Sequence, residues 1–131
     1  MEKVNLKIML VDDDKFLLDM YATKFTNAGY EVETIPSSEE ALAKIQNGFS
    51  PDVLLLDLIM PKMNGLELLE ILKNKNLIAK TLKVVLTNQG QQTDVEKARE
   101  IGIDGYIVKA LHTPSEVLKV VEDLYSNKKT S

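Results

Sequence analysis

Four short runs in this chain each end in a group able to do chemistry. Asp12, Asp13 and Asp14 follow Lys7–Val11, Asp57 follows Val53–Leu56, Thr87 follows Leu82–Leu86 and Lys109 follows Gly105–Val108. Two carboxylates about 4 Å apart repel by roughly 4 kcal/mol at an effective dielectric of about 20. That is a large share of the roughly 5–15 kcal/mol by which a domain is stable. A pocket holding Asp12, Asp13 and Asp57 therefore needs positive charge. Lys109 supplies one, and a divalent cation would supply the rest. Every candidate ligand is an oxygen, which selects Mg2+, Mn2+ or Ca2+ over zinc or copper. Few protein ligands and several waters suit Mg2+ best. A carboxylate beside such an ion can attack phosphorus and become an aspartyl phosphate. Phosphoryl transfer asks little more of a protein than positioning and charge neutralisation.

For these groups to meet, the runs must be neighbouring strands with their carboxyl ends on one edge. A fifth run, Glu31–Ile35, leads into Pro36 and offers no reactive group. The first, third and fourth runs are almost continuously apolar, as in strands covered on both faces. Leu17, Met20, Tyr21, Phe25 and Ala28 make one stripe at helical spacing, and Val117, Val120, Val121 and Leu124 make another. Both fit amphipathic helices facing a core. Ser37-x-x-Glu40, Thr93-x-x-Glu96 and Thr113-Pro114-Ser115-Glu116 have the form of capping boxes. Gly29, Gly48 and Gly102 fall where helices should stop. Five alternations of strand and helix predict an α/β fold, a doubly wound parallel sheet with helices on both faces. Its chemistry would gather at the carboxyl ends of the strands.

Composition narrows the choices. The 131 residues suit one domain, residues 1–126, with 127–131 as a polar C-terminal tail. The absence of cysteine removes disulfides, thiolate catalysis and Cys-ligated zinc, and a single histidine removes a multi-histidine metal site. A net charge of −4 argues against direct binding of nucleic acid. Apolar runs such as Ile8–Val11 are four residues long, against roughly 20 needed to span a membrane. Charge returns at Asp12, too early for a signal-peptide core. The expected location is therefore cytoplasmic.

The string Asp57-Leu58-Ile59-Met60-Pro61-Lys62-Met63-Asn64-Gly65 resembles the phospho-acceptor segment of response-regulator receiver domains. So does the ordered set Asp12-Asp13, Asp57, Thr87, Tyr106 and Lys109, and the likeness covers roughly residues 6–125. It implies a flavodoxin-like fold of five strands in the order 2-1-3-4-5 with five helices. It also implies roles. Asp57 would be phosphorylated, with Thr87 and Lys109 completing the catalytic set. Asp13, Asp57 and the backbone carbonyl of Ile59 would bind Mg2+, with Mn2+ as a substitute, and Asp12 would act through a metal-bound water. Lys109 would pair with the phosphoryl oxygens. Thr87 would donate its hydroxyl to the phosphoryl group, and Tyr106 would then move from exposed to buried. The output surface would be the fourth helix, fifth strand and fifth helix, about residues 93–102, 105–109 and 114–125. The donor would be a sensor histidine kinase or a histidine phosphotransfer protein, and the output a downstream protein target. Such a domain catalyses only its own phosphorylation and dephosphorylation. It is expected to be monomeric at rest, with pairing through the output face on phosphorylation.

Four positions depart from or tune that pattern. Ala110 stands where proline usually follows the lysine, so the Lys109–Ala110 bond is either trans with a rearranged loop or cis with strain. Asn88 is bulkier than the usual alanine or glycine and is expected to narrow access and slow transfer or hydrolysis. Ile59 is expected to hinder an attacking water, whereas Gln89 is placed to orient one. The chain's span suggests a stand-alone phospho-acceptor. Two alternatives are a receiver-like interaction module that is no longer phosphorylated and a small Mg2+-dependent phosphohydrolase. The second would need an acid two residues after the nucleophile, where Ile59 stands. A flavin site would need a phosphate-cradling loop after the first strand, and none is present.

Overall fold

Alternate residues of each strand enter opposite layers of core, and that two-residue period builds the molecule. The structure, a computed structural model, describes residues 6–88 and 91–130, with backbone alone for 129 and 130. Its strands are β1 (Lys7–Val11), β2 (Glu31–Ile35), β3 (Val53–Asp57), β4 (Leu82–Thr87) and β5 (Gly105–Val108). Its helices are α1 (Lys15–Asn27), α2 (Ser38–Gln46), α3 (Gly65–Asn74), α4 (Gln92–Ile101) and α5 (Pro114–Thr130). The strands are parallel and lie in the order β2-β1-β3-β4-β5. Ile8, Leu10, Val53 and Leu55 face a core closed by Leu18 and Phe25 of α1 and Val117 and Val121 of α5. Met9, Val11, Leu54 and Leu56 face a second core closed by α2, α3 and α4. This is the predicted doubly wound fold.

Strand ends differ from the apolar runs by one residue. Asp57 pairs in register with Leu86, and Thr87 with Val108. Both polar groups thus belong to the ladder, whose hydrogen bonds fix their backbones.

Helix starts follow the sequence signals in part. Thr113 and Glu116 form the expected box, with Glu116 N–H donating to Thr113 Oγ1 at 3.2 Å and Thr113 N–H to Glu116 Oε1 at 2.8 Å. Ser37 caps α2 by accepting from Glu40 N–H at 3.2 Å. Thr93, by contrast, lies inside α4. Gln91 takes the N-cap position and its side-chain oxygen accepts from Asn88 N–H at 2.9 Å, while the Glu96 carboxylate accepts from Gln92 at 3.1 Å. The Thr93 box is therefore not formed. A box absent from the sequence expectations opens α3, where Asn64 and Glu67 exchange bonds of 2.9 and 3.0 Å. At the other end of the chain, α5 runs on to Thr130, so the segment expected to be a polar tail begins as helix. Polar residues there are compatible with helix, and Lys128 is anchored on Asp104 at 3.4 Å and on the Thr81 carbonyl at 3.3 Å.

Candidate functional site

The carboxyl ends of β1, β3 and β5 bring three charged groups together out of water. Asp12 and Asp57 are 1% and 3% exposed. The Lys109 ammonium lies 3.2 Å from Asp12 Oδ2 and 3.4 Å from Asp57 Oδ2. Local backbone completes the placement. Asp12 N–H donates to the Ile35 carbonyl at 3.2 Å, carrying the β1–β2 ladder one residue further. Asp12 Oδ1 accepts from Asp14 N–H at 2.9 Å and Asp57 Oδ1 from Ile59 N–H at 3.3 Å. Asp14 caps α1, its carboxylate accepting from Leu17 N–H at 3.2 Å. Asp13 is exposed and opens the cluster to solvent, yet one carboxylate oxygen from each of Asp12, Asp13 and Asp57 lies within 4.8 Å of the others.

The pocket is short of positive charge. Burial pushes the Asp57 carboxyl up, the neighbouring Asp12 charge pushes it further, and Lys109 and the Ile59 N–H only partly oppose them, leaving it at about 7. Burial alone would lower the Lys109 pKa, but Asp57 and Asp12 outweigh burial and hold the ammonium above its usual value. Two buried carboxylates thus share one ammonium, with a third carboxylate at the solvent edge. An all-oxygen donor set with unmet negative charge and an open side fits a hard divalent cation that keeps several waters.

The other expected residues lie around this centre. Thr87 is buried, and its hydroxyl donates to the Ile107 carbonyl at 3.4 Å. Ile59 is exposed after β3, and Asn88 is exposed after β4. Tyr106 on β5 is 37% exposed. Gln89 lies outside the described residues. No cis peptide bond occurs among the described residues, so Lys109–Ala110 is trans and opens a single 3-10 turn, Lys109–Leu111.

Two contributors were not assigned to the site from sequence. Tyr21, read as part of a packing stripe, is buried in α1. Burial raises its pKa most; Lys109 lowers it, while Asp12, Asp14 and Asp57 raise it. Its phenol therefore shares the field of the pocket. A phenol in an apolar stripe, seven residues after the acid that caps its helix, was the available signal. Gly65, the last residue of the Asp57–Gly65 string, starts α3 against the end of β3, where a Cβ would lie 2.6 Å from the Asp57 carbonyl oxygen and 2.8 Å from Leu58 Cα. Both contacts are backbone and cannot rotate away. Gly65→Ala is expected to cost roughly 1–3 kcal/mol and to lower Tm by several degrees; an unchanged melting curve would show that α3 can retreat freely.

The family model of the response regulator receiver domain matches residues 8–122. The chain belongs to that family. This receiver domain is 32% identical over 114 residues to the alkaline phosphatase synthesis transcriptional regulatory protein PhoP of Bacillus subtilis, a match covering 87% of this chain and 46% of the relative. It is 30% identical over 122 residues to the response regulator SaeR of Staphylococcus aureus, covering 93% and 51%. The chain thus spans about half the length of these curated relatives. Among solved structures it resembles the CheY-like receiver domain protein of Methanospirillum hungatei, with a TM-score of 0.86 at 29% identity, covering 97% of this chain and 98% of that one. It also resembles the chemotaxis response regulator CheY4 of Vibrio cholerae, with a TM-score of 0.83 at 29% identity, covering 92% and 99%. The receiver domain therefore has the flavodoxin-like CheY fold of two-component response regulators. No helix among its described residues is long and apolar enough to cross a membrane.

Proposed function

We propose that this receiver domain accepts a phosphoryl group on Asp57 in a Mg2+-dependent reaction and reports it through the α4–β5–α5 surface. What supports this reading is the convergence of Asp12, Asp13 and Asp57 oxygens within 4.8 Å beside the Lys109 ammonium. The donor is a phosphohistidine of a sensor kinase or a histidine phosphotransfer protein. An Asp57 oxygen attacks phosphorus in line, the P–N bond breaks, and its electron pair stays with the histidine ring. Asp13, Asp57 and the Ile59 carbonyl would hold the metal, with Asp12 reaching it through water; Mn2+ is a substitute. When bound there, the ion would supply neutralisation of the charge that builds on the phosphoryl oxygens. Lys109 turns from the carboxylates to a phosphoryl oxygen. Thr87 leaves the Ile107 carbonyl to donate to another, and Tyr106 moves inward behind it. Ile59, Asn88 and Gln89 set how readily water reaches the phosphoryl group, and Ala110 leaves the loop after Lys109 in its trans form.

Such a domain acts on itself alone, and its output is a downstream protein target. A cytoplasmic location and a monomeric resting state, with pairing through α4–β5–α5 on phosphorylation, go with this reading. The exposed Ile59, two residues past Asp57, offers no acid for a phosphohydrolase.

Intact mass after incubation with Mg2+ and acetyl phosphate tests the assignment. Wild type is expected to gain one phosphoryl group, and Asp57→Asn none. An adduct that survives in Asp57→Asn would move the acceptor elsewhere. No adduct from either acetyl phosphate or a phosphorylated histidine domain would favour the interaction-module reading.

A further inference from the structure

Arg99 is the chain's single arginine among 16 basic residues. It lies on α4, and its guanidinium carbon sits 5.1 Å from the centre of the Tyr106 ring on β5. Among the described residues no carboxylate forms an ion pair with Arg99, so the ring face is the partner the structure gives it. The helix that carries it is anchored from its other side, where Val95 and Ala98 are buried. Arg99 can therefore cover the ring or leave it without disturbing the core.

Beside the pair runs a groove of about 450 Å3, lined by Arg99, Ile103, Tyr106, Val120 and Leu124 among others. The ring thus stands at the mouth of a surface groove with a cation on its face. A guanidinium is planar and weakly hydrated, which suits it to stacking on an aromatic face in a way that an ammonium is not.

We infer that Arg99 is a latch that holds Tyr106 outward and so sets the resting balance of this receiver against its switched state. The inference rests on the reading of Tyr106 as the moving residue of the proposed function. The contact exists only while the ring is outside, and a contact made in one of two states biases the balance by its whole worth. A partly exposed cation–π pair is worth about a two- to five-fold change in such an equilibrium. Arg99 touches neither Asp57 nor Lys109, so it acts as a positioning residue, through the ring alone.

The test compares wild type, Arg99→Ala and Arg99→Lys by NMR of the unphosphorylated protein, with Tyr106 assigned through Tyr106→Phe. The primary readout is cross-relaxation between the Tyr106 ring and the Thr87 methyl group, which reports the inward ring without any phosphoryl group. The inward population is expected to rise about two- to five-fold in Arg99→Ala and less in Arg99→Lys. The rate of phosphorylation by acetyl phosphate is expected to rise by a similar factor. An unchanged Tyr106 signal in Arg99→Ala would overturn the latch, whatever Asp57 does. A Tyr106 signal that moves in a protein taking no phosphoryl group would uphold the latch and overturn the phospho-acceptor reading instead.

Discussion

Lys109→Ala is expected to destabilise the metal-free protein by about 3–5 kcal/mol near pH 8, the usual cost of removing one partner from a buried ion pair. For a chain of this size that corresponds to a fall in Tm of roughly 10–15 °C. The cause is what remains behind. The ammonium sits 3.2 and 3.4 Å from two nearly inaccessible carboxylates, and alanine leaves them facing each other with no cation between them. Asp57 can relieve the repulsion by taking up a proton, so the loss should shrink toward pH 6. Millimolar Mg2+ should restore part of it, because an ion bound only by the folded state stabilises that state. Thermal unfolding with chelator and with Mg2+ decides the matter. Equal melting of variant and wild type in chelator at pH 8 would mean that the carboxylates do not depend on Lys109.

The second large effect is a dependence of stability on pH that Mg2+ should reverse. Asp57 stands at about 7 in the folded protein against an ordinary value of 3.8. The folded state therefore holds this proton more tightly than the unfolded chain does. Its contribution to stability is complete below about pH 4 and is lost as pH rises through about 7. A shift of this size amounts to roughly 4 kcal/mol at about 1.4 kcal/mol per pH unit, an upper bound for a charged cluster that can relax. Without metal, the Tm of wild type should fall between pH 5 and pH 8 relative to that of Asp57→Asn, whose amide carries no charge to repel Asp12. At pH 8 the variant should be the more stable protein. With Mg2+ present the ionised carboxylates are the bound form, so the increment in Tm from the metal should grow with pH. Asp13→Ala should remove most of that increment and leave the metal-free slope in place. Parallel pH curves for wild type and Asp57→Asn in chelator would show that the Asp57 proton is not coupled to folding.

These expectations lean on residues that the amino-acid sequence itself makes conspicuous, and the reason is physical. Asp12, Asp57 and Lys109 follow short strand-like runs, and Asp57 ends one that is buried on both faces, where a charge has no ordinary reason to be. The parallel architecture was legible because strand and helix signals alternate and because Thr113 and Glu116 mark a helix start unambiguously. Strand order was not, since the same alternation fits several arrangements, and it came from family likeness instead. The false start at Thr93 shows the limit of local motifs. Its spacing was right, yet the connection from β4 closes on Gln91, one residue before α4. Tyr21, Gly65 and Arg99 escaped for a common reason. Each matters through a neighbour away from it in the chain: the charged pocket for Tyr21, the end of β3 for Gly65, and an edge-strand ring for Arg99. Only Tyr21 carries a local hint, its place in an apolar stripe seven residues after the capping Asp14.

The distance along the chain between Asp12 and Lys109, 97 positions, bears on how the molecule is made. Chains begin folding from the end that is synthesised first, and both buried acids leave the ribosome long before their lysine. Any partly assembled sheet that holds β1 and β3 without β5 carries two facing carboxylates and no countercharge of its own. The last strand to arrive is also the shortest, four residues at the edge of the sheet. Its docking closes a circuit of charge as well as a ladder of hydrogen bonds. Until then, protons and cations from the surroundings must stand in for Lys109, so the salt and pH of the medium bear on assembly before they bear on signalling.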